Sequence, residues 1–152
     1  MKLLVLILMF PFNFGFCQLD ESKKNIDTRL VATNVNPKII DGYREEVKLA
    51  NKTLDTIKIL YNGQNLAKRI SIINKNLGIG NDYFHELSKH LNGGFKLTNS
   101  ITINNQSFFY DSKIKRLIIK TYSLKEKNKL VEVEFLSDFN LIKNKLPQVI
   151  NW

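Results

Sequence analysis

The apolar residues of this chain keep one period up to Gly94 and another beyond it, and that change limits the folds open to the chain. Before it, Ile40, Tyr43, Val47, Ala50, Leu54, Ile57 and Tyr61 recur at alternating spacings of three and four. This is the spacing of one face of an α-helix. Asn36 is a capping residue type, Pro37 suits a first helical position, and Asn62-Gly63 closes the run in the manner of a C-cap. The pattern predicts a helix over 37–61, with Asp41, Arg44, Glu45, Lys48, Lys52, Asp55 and Lys58 mostly on its solvent side. The same stripe also suits a coiled-coil dimer, but Ala50 is a weak central knob and a monomer is favoured. A second helix is expected over 64–77, lined by Leu66, Ile70, Ile73 and Leu77, and a third over 82–91, lined by Phe84, Leu87 and Leu91.

After Gly94 the period is two. Phe95, Leu97, Ile101 and Ile103 alternate with polar residues, and strands are expected at about 95–103, 107–110, 115–122 and 130–136. Short polar connections between them imply an antiparallel meander. If one sheet face is buried, the last two strands should pair Leu117 with Phe135, Ile119 with Val133 and Thr121 with Val131, because a slip of one residue would turn Glu132 and Glu134 toward the core. The tail 138–152 reads as a short helix or a fifth strand. No internal repeat is visible. The expected fold is α+β: an N-terminal helical layer of about three helices packed on a C-terminal antiparallel meander of four or five strands, one domain over 36–152.

The N-terminus carries a destination. Lys2 precedes an unbroken apolar run, Leu3–Phe10, which Pro11 and Asn13 interrupt. A bilayer span needs about 20 apolar residues, whereas the core of a signal peptide needs about 7–15. Gly15 and Cys17, two apart, suit a signal peptidase, so 1–17 is read as a signal peptide and the protein as exported, periplasmic or secreted. An alternative is a lipoprotein anchored through Cys17, which the bulky Phe16 disfavours; another is a buried N-terminal strand. Residues 18–35 form a polar leader with a short strand at Thr28–Thr33, and no later stretch is apolar enough to cross a membrane. Cleavage removes the one cysteine, leaving no disulfide to brace the core. The formal charge is +9, which suits an anionic partner, although lysine, asparagine and isoleucine together also mark an A/T-rich coding bias. Export argues against an intracellular nucleic-acid role.

Motifs for catalysis are weak. His85-Glu86-Leu87-Ser88-Lys89-His90 is one residue longer than a His-Glu-x-x-His zinc signature. At about 100° per residue, five steps set the two imidazoles roughly 140° apart on a helix, too far around to share one ion. Gly78-Ile79-Gly80 lacks the third glycine of a dinucleotide loop, and Asn51-Lys52-Thr53 and Asn105-Gln106-Ser107 are formal glycosylation sequons of an asparagine-rich chain. No catalytic residue, metal ligand or cofactor is assigned. The candidate binding surface is Phe109, Arg116, Ile118, Lys120 and Tyr122, which alternation places on one sheet face, expected to lie away from the core with Glu132 and Glu134 as cross-strand partners. Aromatic and basic residues together suit a protein, a peptide or an anionic polymer. The expected function is that of an exported, non-catalytic binding or accessory protein; alternatives are a small secreted hydrolase using a single histidine as acid/base and a coiled-coil structural protein.

Overall fold

The computed structural model describes residues 19–29, 36–49, 55–74, 99–111, 115–126 and 129–146. They form an eight-stranded antiparallel sheet flanked by two short helices. The elements are α1 (Lys23–Arg29), β1 (Lys38–Ile40), β2 (Tyr43–Leu49), β3 (Asp55–Tyr61), β4 (Ala67–Asn74), β5 (Asn99–Ile103), β6 (Gln106–Asp111), β7 (Arg116–Tyr122), β8 (Leu130–Leu136) and α2 (Phe139–Lys145). The strand order is β1-β2-β3-β4-β8-β7-β6-β5. The same four-stranded meander therefore occurs twice, and the two copies meet where their last strands, β4 and β8, pair antiparallel. Both meanders open on a two-residue hairpin turn, Asp41-Gly42 and Asn104-Asn105. The sequence hides this repeat because matching positions differ even in residue class: Glu45 and Glu46 of β2 stand where β6 has Phe108 and Phe109.

The helical layer expected over 37–61 and 64–77 is replaced by strands β1 to β4, and the α+β layout with a four- or five-stranded meander is corrected to one large sheet. The coiled-coil seam through 37–61 falls with that helix. The reason lies in the turns. Asp41 and Gly42 both take positive φ, 49° and 80°, the type I′ geometry that Asp-Gly favours in hairpins. Asn62 ends no helix: its Oδ1 accepts from the backbone N–H of Gln64 at 3.0 Å and of Leu66 at 2.9 Å, closing the β3–β4 turn. The three-and-four spacing was a coincidence of residues drawn from opposite faces of neighbouring strands. In the leader, α1 occupies the start of the Thr28–Thr33 strand range, and in the tail the helical option is the one taken. The helix expected over 82–91, with His85 and His90, lies outside the described residues. No described helix is long and apolar enough to cross a membrane.

Both faces of the sheet carry apolar clusters. On the first face, Ile57, Ile59, Tyr61, Ile70, Ile72, Ile118, Val133 and Phe135 pack together, with Ile26 of α1 over them. On the second, Phe108, Leu117, Ile119 and Leu136 pack under Ile142 of α2 and Leu146, its C-cap residue. Asp138 caps α2, accepting from the N–H groups of Asn140 and Leu141. The β7–β8 register follows from this two-sided burial. Leu117 pairs with Leu136, Ile118 with Phe135, Ile119 with Glu134, Lys120 with Val133 and Thr121 with Glu132, one residue away from the expected pairing. The premise of a single apolar face fails. Glu134 is indeed buried, at 6% exposure, and Lys145 Nζ reaches its Oε1 at 3.3 Å.

The turn chemistry gives one test. Gly42→Ala introduces a Cβ that meets no atom within 4 Å, so only its left-handed backbone, φ +80°, resists. The expected cost is about 1 kcal/mol, read as a lower urea midpoint with an unchanged slope.

Candidate functional site

Alternation along β7 and the β6–β7 register place Phe109, Arg116, Ile118, Lys120 and Tyr122 on one face, together with Ser107 opposite Lys120. That face is the first, core-bearing one, so the surface expected to point away from the core is corrected. Ile118 is 1% exposed, sits between Phe109 and Phe135 in register, and is unavailable to a ligand. Phe109 and Tyr122 are half-buried against the edge of the first cluster. Arg116 Nη2 donates to Asp20 Oδ2 at 2.7 Å, and the same carboxylate takes Lys68 Nζ at 2.5 Å and the Ser137 hydroxyl at 3.2 Å. Burial alone would raise the Asp20 carboxyl, but Lys68 and Arg116 hold it below the usual carboxylate range. Arg116 is thus part of the fastening of the N-terminal segment to the sheet.

Lys120 is different. The cations that alternation puts on this face among the described strand residues are Arg44, Lys48, Lys68, Arg116 and Lys120. Arg44 is paired with Glu46, Lys48 with Asp27, and Lys68 and Arg116 share Asp20. Lys120 has no carboxylate partner among the described residues. Glu132 and Glu134, expected to neutralise it, project from the opposite face, where Glu132 hydrogen-bonds Ser71. The Lys120 ammonium instead lies over the Phe109 ring, 5.2 Å from its centroid. Burial pushes this lysine's pKa below its ordinary value. Beside it, the Ser107 and Thr102 hydroxyls are 3.0 Å apart, and Thr102 is exposed. An ammonium, two hydroxyls and two half-buried rings therefore converge on one strip spanning β5, β6 and β7.

A second polar cluster, at the other end of the same face, has no counterpart in the sequence reading. Arg44, Glu46 and Lys48 alternate along β2 and point under α1. Lys23 Nζ contacts Asp27 Oδ2 at 2.5 Å and Glu46 Oε2 at 3.0 Å, and Lys48 also donates to Asp27. The Lys48 side chain is 3% exposed and that of Glu46 4%. Burial and the neighbouring Lys23 charge push the Lys48 ammonium down to about 8. These charges were read as the solvent side of a helix; the signal that could have found them is their i, i+2, i+4 spacing, which is one face of a strand. Lys23, Arg44 and Lys48 share the two carboxylates Asp27 and Glu46, so each charge has a partner and the cluster fastens α1 to the sheet. Among the described residues, no three histidine, cysteine, aspartate or glutamate side chains come together as metal ligands would. Comparison of the chain with models of known protein families, with curated proteins and with solved structures gave no match.

Proposed function

We propose that this chain is an exported, non-catalytic binding protein whose ligand lies across β5, β6 and β7 beside Lys120. The observation that carries the reading is the half-buried ammonium of Lys120, which has no carboxylate partner among the described residues on a face where Arg44, Lys48, Lys68 and Arg116 are all ion-paired. Keeping a cation partly desolvated and unpaired costs stability. Such a cost is retained where a ligand's negative charge completes the pair. The export half of the reading rests on Lys2, the apolar run Leu3–Phe10 and the Gly15/Cys17 spacing.

The test is a titration of residues 18–152 with four soluble polymers: an acidic polysaccharide, a neutral polysaccharide, polyglutamate and single-stranded DNA. Amide chemical shifts are the readout. One polymer is expected to shift Ser107, Phe109, Lys120 and Tyr122 in a saturable way. Shifts centred on His85 and His90, with cleavage of the polymer, would favour the single-histidine hydrolase instead. Saturation by none of them at the Lys120 strip would overturn the proposal.

A further inference from the structure

We infer that the ligand is an acidic polysaccharide, with a sugar carboxylate on Lys120, sugar hydroxyls toward the exposed Thr102 beside the buried Ser107, and the sugar rings against Phe109 and Tyr122. The inference rests on the binding reading above and adds the chemistry of the ligand. Three observations select among anionic polymers.

The first is that β6 and β7 are hydrogen-bonded to neighbours on both sides. A peptide that binds a sheet usually does so by adding a strand to a free edge, where main-chain groups carry the affinity. No such edge exists at Lys120 itself; β5, which carries Thr102, is the last strand in the order and offers one about two interstrand spacings away. A ligand lying on this face is held by side chains alone.

The second is the density of charge. Each strand of a nucleic acid duplex carries a phosphate roughly every 3.4 Å along the axis, and binding proteins meet several of them with several cations. Here Arg44 is committed to Glu46, Lys48 to Asp27, and Lys68 and Arg116 to Asp20. The face offers one unpaired ammonium among the described residues. That matches a polymer whose charges are separated by neutral, hydroxyl-rich stretches.

The third is the mixture of surfaces. Thr102, Ser107 and Lys120 lie in cross-strand register on three adjacent strands, a row about 10 Å long from two interstrand spacings. Half-buried rings flank the ammonium: Phe109 lies under it and Tyr122 sits two residues along β7. A uronic acid presents this complement on one residue: a carboxylate, hydroxyls, and an apolar C–H face that packs on an aromatic ring. An ammonium–carboxylate hydrogen bond between partly desolvated groups is also among the stronger polar contacts available.

The probe is a hyaluronan oligosaccharide, in which each glucuronate is followed by a neutral sugar, titrated calorimetrically into residues 18–152 and compared with its methyl ester. The acid is expected to bind and the ester to bind on the order of 10- to 100-fold more weakly, the loss of one charge-assisted hydrogen bond. Lys120→Met should reproduce that loss on the acid while leaving the ester unchanged, and Lys120→Arg should restore most of it. Phe109→Ala should weaken acid and ester alike. The ester comparison uses the unaltered protein, so it holds even if a variant folds poorly. Equal binding of acid and ester, or equal binding of the acid by the Lys120→Met protein with an unchanged melting temperature, overturns the inference. Should polyglutamate or single-stranded DNA bind instead in a Lys120-dependent way, the binding reading stands and the polysaccharide assignment fails. If no probe binds through Lys120, both fail.

Discussion

Phe135→Ala is expected to lower stability by about 3–5 kcal/mol, a large fraction of the roughly 5–15 kcal/mol that holds a domain folded. Phe135 is 0% exposed and stands on β8 between Ile70 of β4 and Ile118 of β7. It is therefore at the seam where the two meanders meet. Truncating it removes apolar area and leaves a cavity that two paired strands on either side cannot easily collapse into. Leu124→Ala is the control, since Leu124 is 83% exposed between β7 and β8. Its removal should stay within about 0.5 kcal/mol. Urea melts of both variants give the comparison. Similar costs for the two would mean that the β4–β8 seam is not the centre of the core. A change in the unfolding slope for Phe135→Ala alone would show the two meanders separating as units rather than unfolding together.

The strands around Phe135 also show what alternation can read from sequence. Alternation over 107–110, 115–122 and 130–136 locates strands beside the observed β6, β7 and β8, because each run is bounded by turn residues and flanked by its own hairpin partner. It fails on register, because pairing by a single apolar face presumes that the other face meets water. Leu117, Ile119 and Leu136 are apolar on the second face, and α2 lies over them. Nothing in β7 or β8 announces that cover. The first half fails more completely. Glu45, Glu46 and Lys48 are buried at 8%, 3% and 2% exposure, yet residues of these types mark solvent in almost any pattern. Their ion partners come from distant positions: Asp27 and Lys23 precede them by about a score of residues, and Arg69 Nη2 reaches Glu45 from β4 at 2.6 Å. Only the Asp41-Gly42 turn carried local information, and the helical stripe ran across it. The face shared by Phe109, Lys120 and Tyr122 was legible from alternation, whereas the lack of a carboxylate for Lys120 was not, since it depends on which face Glu132 and Glu134 take.

The pair beneath α1, a buried Lys48 and an Asp27 whose side chain is 37% exposed, leads to the second effect. Asp27→Asn is expected to cost about 1–2 kcal/mol at pH 7, because Lys48, held at about 8 with the carboxylate in place, gives up its proton in a nearly dry site once that carboxylate is gone. Lys48→Met should be neutral or stabilising, since an apolar side chain of similar length fills the space without a charge to desolvate. In the Lys48→Met background, Asp27→Asn should cost much less, the remainder being its contact with Lys23. Such a double-mutant cycle isolates the pair. The pH dependence supplies a second check. Burial and Lys23 hold the folded pKa of Lys48 at about 8, below the 10.5 of an ordinary lysine. Between those values the unfolded chain binds a proton that the folded chain has released, so stability rises with pH across that window. The penalty of the buried charge is fully present below about pH 8 and is relieved as the ammonium deprotonates. Tyr43 acts in the opposite sense but later: burial and Asp138 raise its phenol to about 12, so its contribution falls only above pH 10, where an unfolded tyrosine begins to ionise. Chemical melts at pH 7, 8, 9 and 10 should therefore show stability climbing in the unaltered protein and a flatter profile in Lys48→Met. The cost of Asp27→Asn should shrink over the same range, because a neutral amine no longer needs the carboxylate. A cost that stayed constant to pH 10 would mean that Lys48 remains charged, and that the Asp27 carboxylate outweighs burial in setting its protonation.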